Sequence, residues 1–264
     1  MKVIMGNDLS CCNNDNMINR LKTNDSLLVR DQNMKTNYSY MNTTIQSQTN
    51  QTNNQRSLVN LPRVNLQIDD YTFYEGYVKD GLAHGIGKLF RKDQRGDVEE
   101  CYEGGFEEGK KNGYGVLTMK KGEIYKGQWV NDKKHGNGKQ LYANGDIYKG
   151  NYKEDKREGF GFLELENGYS YEGDFKNNLF NGKGKMKFNE QGYYEGEWKD
   201  GYIKGKGVLK QMEQESVDYE GEFDYKEKED SGELLFWESN RKLKGDKNRA
   251  VVGRWANGFF QFNK

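Results

Sequence analysis

Tyr194-Glu195-Gly196-Glu197-Trp198-Lys199-Asp200-Gly201, closed by Gly205-Lys206-Gly207 and Val208-Leu209, states a pattern that the chain repeats. The frame is Tyr-x-Gly-x-aromatic, then Gly-x-Gly, then an apolar-alternating tail. It opens at Tyr74, Tyr102, Tyr125, Tyr148, Tyr171, Tyr194 and Tyr219, at intervals of 28, 23, 23, 23, 23 and 25 residues. A fixed period of this length marks a repeat architecture. In the first six copies the first glycine of Gly-x-Gly falls eleven residues after the tyrosine, at Gly85, Gly113, Gly136, Gly159, Gly182 and Gly205.

Alternation turns the pattern into geometry. In a strand, residues i, i+2 and i+4 share a face. Tyr194, Gly196 and Trp198 therefore point one way and Glu195 and Glu197 the other; Gly205, Gly207 and Leu209 oppose Lys206 and Val208 in the same manner. Each copy is predicted to be a hairpin with an aromatic-glycine face and a mostly charged face. Bare backbone at glycine leaves a slot for a neighbouring ring and permits a strong bend. The links Lys121-Gly122, Asn144-Gly145, Asn167-Gly168 and Gln191-Gly192 carry turn chemistry. Short links imply an antiparallel meander of about 15 or 16 strands from seven hairpins and a degenerate eighth. The fold class predicted is all-β: an elongated, twisted single-layer antiparallel meander of stacked hairpins.

Composition agrees with a thin sheet. Of 264 residues, 33% are hydrophobic and 31% charged, and 33 are glycine, which argues against a thick aliphatic core. Aromatic residues are plentiful all the same, with 18 Tyr, 13 Phe and 4 Trp. A formal net charge of zero argues against a nucleic-acid partner found by electrostatics. There is no run of 18 apolar residues, and Met1-Lys2-Val3-Ile4-Met5 lacks the apolar stretch of a secretion signal, so residence in the cytosol is expected. Cys11, Cys12 and Cys101 have no metal-ligand spacing, and the adjacent pair suits no ordinary structural disulfide.

Residues 1–56 read as a tail rich in Asn, Gln and Thr, too polar from Asn13 to Arg56 to offset its ordering entropy, and predicted to be disordered. Its front end holds Met5-Gly6-Asn7-Asp8-Leu9-Ser10-Cys11-Cys12, the N-myristoylation pattern followed by two thiols suited to palmitoylation. Gly6 becomes the acceptor if translation starts at Met5. One myristoyl chain binds membranes only marginally, so stable anchoring needs a second acyl group at Cys11 or Cys12. Residues 57–73 are expected to cap the array, with Val64, Leu66 and Ile68 alternating as a half-buried strand after Pro62. The repeats proper occupy 74–264.

Tyr-Glu-Gly-Glu-Trp-Lys-Asp-Gly with a following Gly-x-Gly resembles the MORN (membrane occupation and recognition nexus) repeat, over Tyr74 to about Gly258. The resemblance implies a docking module, of the kind found in junctophilins, radial spoke proteins, phosphoinositide-kinase N-termini and parasite cytoskeletal scaffolds. Three departures stand out. Val78 replaces the first aromatic, the seventh copy has only Gly232 in place of Gly-x-Gly, and a last partial copy, Val251-Val252-Gly253-Arg254-Trp255, has lost its tyrosine. Atypical ends suit the caps of a stacked array.

Comparison between copies weighs the candidates for chemistry. His84 and His135 occupy a slot that elsewhere holds Asn112, Glu158, Asn181 and Lys204, which marks a turn position rather than a catalytic or metal-binding one. The Gly-x-Gly pairs lead into strands, so no phosphate cradle is expected. Glu99, Glu100 and Glu103 read as solvated side chains. Neither an enzyme nor a cofactor, metal or small-molecule substrate is expected.

For binding, two readings of the aromatic face are open. The rings fill the curve of the sheet themselves, or they line a groove for a partner's helix or extended segment, with Tyr125, Trp129, Tyr148, Tyr152, Tyr171, Phe175, Tyr194 and Trp198 as anchors. Near the C-terminus an acidic block from Glu213 to Glu233 precedes the basic Arg241, Lys242, Lys244, Lys247, Arg249 and Arg254. These six cations pair with the acidic block or touch anionic lipid. The function expected is a non-enzymatic scaffold that docks a protein and is tethered to the cytoplasmic face of a membrane. The alternative is a cilium, axoneme or cytoskeleton component without lipid.

Overall fold

The computed structural model of the protein describes residues 61–188 and 192–211, and beyond them the strand segments 219–223, 225–227, 233–236, 252–256 and 259–262. The chain divides into two compact units after Asp155. The described residues form strands and turns and contain no helix.

The first unit holds β1 (Arg63–Gln67), β2 (Thr72–Lys79), β3 (Leu82–Lys92), β4 (Val98–Glu107), β5 (Lys110–Met119), β6 (Ile124–Val130), β7 (Lys133–Leu141) and β8 (Ile147–Lys153). Each pairs antiparallel with the next, a meander in sequence order. The second unit holds β9 (Lys156–Glu164), β10 (Ser170–Lys176), β11 (Leu179–Lys187), β12 (Gly192–Lys199), β13 (Tyr202–Gln211) and β14 (Tyr219–Phe223), paired in the same way.

Two loop types alternate, and each follows from its residues. Within a hairpin the loop has two residues, as where Lys199 pairs with Tyr202 around Asp200 and Gly201. Both loop residues have positive φ, 51° and 91°, the signature of a type I′ turn that matches strand twist. Asn177–Asn178 (50°, 72°) and Asn131–Asp132 (50°, 68°) do the same without glycine, because Asn and Asp tolerate the left-handed region. Between copies the loop is longer. Met119 N–H donates to the Glu123 carbonyl at 2.9 Å, and Gly122 N–H donates to the Met119 carbonyl at 2.9 Å with φ of 94°.

The turns also join copies. Asp132 N–H donates to the Lys111 carbonyl at 3.0 Å, and Lys111 N–H donates back to Asp132 Oδ1 at 2.8 Å. Asp155 with Lys134, and Asn178 with Arg157, repeat the reciprocal pair. Each turn is thereby fastened to the second strand of the copy before it.

Two expectations need correction. Ile68 does not extend the half-buried alternation of Val64 and Leu66: β1 ends at Gln67, and Ile68 is 60% exposed where the chain turns on Asp69. The expected eighth copy does not lengthen the meander. β14 continues the repeat register, Leu209 opposite Tyr219 and Gly207 opposite Gly221. The next strands, β15 (Tyr225–Glu227), β16 (Glu233–Phe236), β17 (Val252–Ala256) and β18 (Phe259–Phe262), form a separate four-stranded antiparallel sheet. The seventh copy lacks a second glycine strand of the Gly-x-Gly kind, and the meander stops there.

Candidate functional site

Tyr74, Tyr102, Tyr125, Tyr171 and Tyr194 each lie flat over the glycines of their own hairpin. A Cβ on Gly196 would stand 2.6 Å from the Gly207 Cα and closer still to the Tyr194 hydroxyl. The ring can reach this place only because both facing residues lack side chains. Its hydroxyl then donates to a carbonyl three residues on: Tyr194 to Glu197 at 3.1 Å, Tyr171 to Asp174 at 3.0 Å, Tyr125 to Gln128 at 3.0 Å, Tyr102 to Gly105 at 3.0 Å. Burial raises the phenol of Tyr74 to about 12 and pushes those of Tyr102, Tyr125, Tyr171 and Tyr194 higher still.

Aromatics four residues after the tyrosine, at Phe106, Trp129, Tyr152 and Trp198, link copies within each unit. In the first unit the rings run Tyr102, Trp129, Tyr125, Tyr152, Tyr148, with centroids 5.1 to 5.3 Å apart and planes at 84° to 89°. In the second they run Phe175, Tyr171, Trp198, Tyr194 at 5.2 to 5.4 Å. Edge-to-face contact of this kind adds about 0.5–1.5 kcal/mol per pair to the area buried. Trp198 Nε1 donates to the Gly184 carbonyl at 3.2 Å, and Trp129 Nε1 to that of Gly115 at 3.4 Å, so each indole closes the hairpin before its own.

Tyr125, Trp129, Tyr148 and Tyr152 are thus brought together in the first unit, and Tyr171, Phe175, Tyr194 and Trp198 in the second, in each case as core. None is more than 4% exposed. The groove reading of these eight residues is corrected accordingly. The rings fill the face themselves because glycine lets each sink onto backbone and the next copy's ring covers what remains.

One slot of that face holds a cation in three copies. Nine residues after the tyrosine stand Ala83, Lys111, Lys134, Arg157, Phe180 and Ile203. Lys111 Nζ lies 5.3 and 5.2 Å from the Tyr102 and Trp129 ring centres, Lys134 Nζ 4.8 Å from that of Tyr125, and Arg157 Cζ 5.2 Å from that of Phe175. Phe180 replaces the cation by stacking on Tyr171 at 3.9 Å. Gln140 stands where other copies have Leu89, Leu117, Leu163, Met186 and Leu209. It is 7% exposed and accepts from Lys134 Nζ at 2.7 Å and the Tyr152 hydroxyl at 3.3 Å. Burial pulls the Lys134 ammonium below the ordinary lysine range.

The opposite face differs between the units. Across β2 to β8 one residue per strand forms a row of direct partners: Phe73, Phe90, Cys101, Thr118, Ile124, Leu141, Ile147. Phe73 and Phe90 stack at 5.4 Å, and Ile124, Leu141 and Ile147 cluster with Val116. The neighbouring row ends in three successive lysines, Lys126, Lys139 and Lys149. The matching row of β9 to β13 is Glu164, Ser170, Lys187, Tyr193, Lys210. A mostly charged second face therefore describes the second unit, whereas the first carries an apolar row there. The residue just before each repeat tyrosine was the available signal: Phe73, Cys101, Ile124 and Ile147, then Ser170 and Tyr193.

Gly6, Cys11 and Cys12, the basic residues Arg241, Lys242, Lys244, Lys247 and Arg249, and the polar tail lie outside the described residues. Arg254 falls in β17, of which only the backbone is described. Cys101 is disulfide-bonded. Among the described residues no group of three His, Cys, Asp or Glu is placed to hold a metal, and no helix is long and apolar enough to cross a membrane.

The family model described as MORN repeat matches residues 74–94, 102–124, 125–147, 148–168, 171–193 and 194–210. Comparison with curated proteins returned no match.

Proposed function

Because the chain belongs to the MORN-repeat family, we propose that it is a non-enzymatic scaffold that docks a protein partner and is held at the cytoplasmic face of a membrane by an acylated N-terminus. The observation that carries the scaffold reading is the use of the aromatic row. Its rings join one copy to the next within each unit, and none is directed at an open site. Docking then falls to side chains that stay exposed, among them Leu82, Ile86 and Val130 in the first unit.

The tether rests on Met5-Gly6-Asn7-Asp8-Leu9-Ser10-Cys11-Cys12. Two acyl groups give stable anchoring where one does not. The test is fractionation of cells expressing the full chain beside a variant with Gly6→Ala, Cys11→Ser and Cys12→Ser. Loss of the variant from membranes is expected. Equal residence of both chains in a detergent-insoluble cytoskeletal fraction would overturn the tether and favour a structural component without lipid.

A further inference from the structure

The apolar row of the first unit is buried like a core, although β1 to β8 form one layer and supply nothing to lie over it. Phe90, Cys101 and Ile124 are each 3% exposed and Leu141 1%. Lys149 is 5% exposed, whereas of its equivalents in other copies Glu103, Lys126 and Glu195 are exposed and Glu75 and Glu172 half-buried. Hairpin geometry does not produce this, because Ser170 and Tyr193 are only half-buried and Lys187 is exposed in the corresponding row of the second unit. Part of the chain must cover the row.

Cys101 identifies which part. It lies in the row, it is disulfide-bonded, and the only other cysteines are Cys11 and Cys12. We infer that the surface formed by Cys101, Ile124, Leu141 and Ile147 is a docking site for the chain's own N-terminal segment, from Cys11 to about Leu21. This departs from the reading of Asn13 to Arg56 as disordered. A polar segment that is disordered alone can order on a surface that accepts its few apolar residues.

The segment fits in length and pattern. From Cys101 the row reaches Ile124 after two strand spacings and Leu141 after three, about 10 and 14 Å. A helix advancing from Cys12 places Met17 and Ile18 at about 8–9 Å and Leu21 at about 14 Å. Met17, Ile18 and Leu21 are spaced to share one helical face, and Asn14 and Asp15 are residue types that cap a helix start. The lysine row beside the site, Lys126, Lys139 and Lys149, offers charge partners to Asp15 and Asp25. Docking draws the front of the chain onto β4 to β8, and a thiol held in the disulfide is closed to acylation. The inference stands apart from the membrane tether, which concerns Gly6 and the remaining thiol.

The test uses the full chain under reducing conditions, with iodoacetamide as probe and mass spectrometry to follow alkylation of Cys101. Slow labelling is expected in the parent chain. A variant with Met17→Glu, Ile18→Glu and Leu21→Glu is expected to label about tenfold faster or more, as the site opens. The Cys11→Ser, Cys12→Ser chain should stay slow, because apolar contact holds the segment without the disulfide. Near-ultraviolet circular dichroism should be the same for all three. An unchanged rate in the triple-Glu variant would overturn the proposal and assign the cover to another part of the chain. Protection of the parent that vanishes on dilution would overturn it in favour of a second copy, and loss of the near-ultraviolet signal in the triple-Glu variant would overturn it by making the segment part of the repeat core.

Discussion

Gly196 and Gly207 face each other across β12 and β13, and Tyr194 occupies the space their missing side chains leave. The first glycine of the Gly-x-Gly pair does something else. Gly205 has φ of 98° where the pairing shifts between Gly196 and Trp198, so it serves a bulge, while Gly207 serves a ring. Gly196→Ala should cost about 2–4 kcal/mol in urea unfolding, because the obstructing atoms include backbone that cannot step aside. The buried phenols set a second expectation. An ordinary tyrosine ionises near 10, and burial raises Tyr74 to about 12, so folding favours the neutral ring. That stability is complete below pH 10 and is lost as pH rises toward 12 and above. A titration of phenolate absorbance should therefore show the buried rings ionising together with alkaline unfolding, not as separate groups near pH 10. Lys134 and Gln140 give a third. Gln140→Leu removes the acceptor from a partly buried ammonium and should cost about 1–3 kcal/mol. Adding Lys134→Phe, which copies the Phe180 and Met186 arrangement, should recover most of it; additive losses in the double-mutant cycle would refute the coupling.

At the level of the hairpin, the turn both reverses the chain and docks on the preceding copy. Asn178 holds φ of 72° while its Oδ1 accepts from Arg157 N–H at 2.8 Å. Asn178→Ala strains the turn and removes the acceptor, and should cost about 1–2 kcal/mol, whereas Asn178→Asp should stay within about 0.5 kcal/mol. Equal midpoints for all three chains in urea would contradict the docking role. The hairpin and its aromatic face were legible because Tyr-x-Gly-x-aromatic has the two-residue period of a strand. The longer loops were legible from Lys121-Gly122 and Asn144-Gly145. The type I′ turns were less so: Asn131-Asp132 and Asn177-Asn178 do the work of Asp-Gly without its signature. The second-face row escaped a frame built on tyrosine, since its positions mix Phe, Cys, Ile, Ser and Tyr and become a row only through cross-strand register.

On the scale of the molecule, a chain of such hairpins gains stability from contacts between neighbours, so interface terms carry much of it. Trp198 is one of these terms: it meets Tyr171 of the preceding copy at 5.3 Å, bonds the Gly184 carbonyl and is 3% exposed. If the aromatic face is the core of the scaffold, an aromatic removed from it weakens folding, and partners are recognised elsewhere. If the face is a groove, the same change spares the fold and weakens a partner. The measurement that separates the two is urea unfolding of Trp198→Ala against the parent chain, followed by circular dichroism. A loss of about 3–5 kcal/mol is predicted, and an unchanged midpoint with reduced capture of a partner protein would contradict the account.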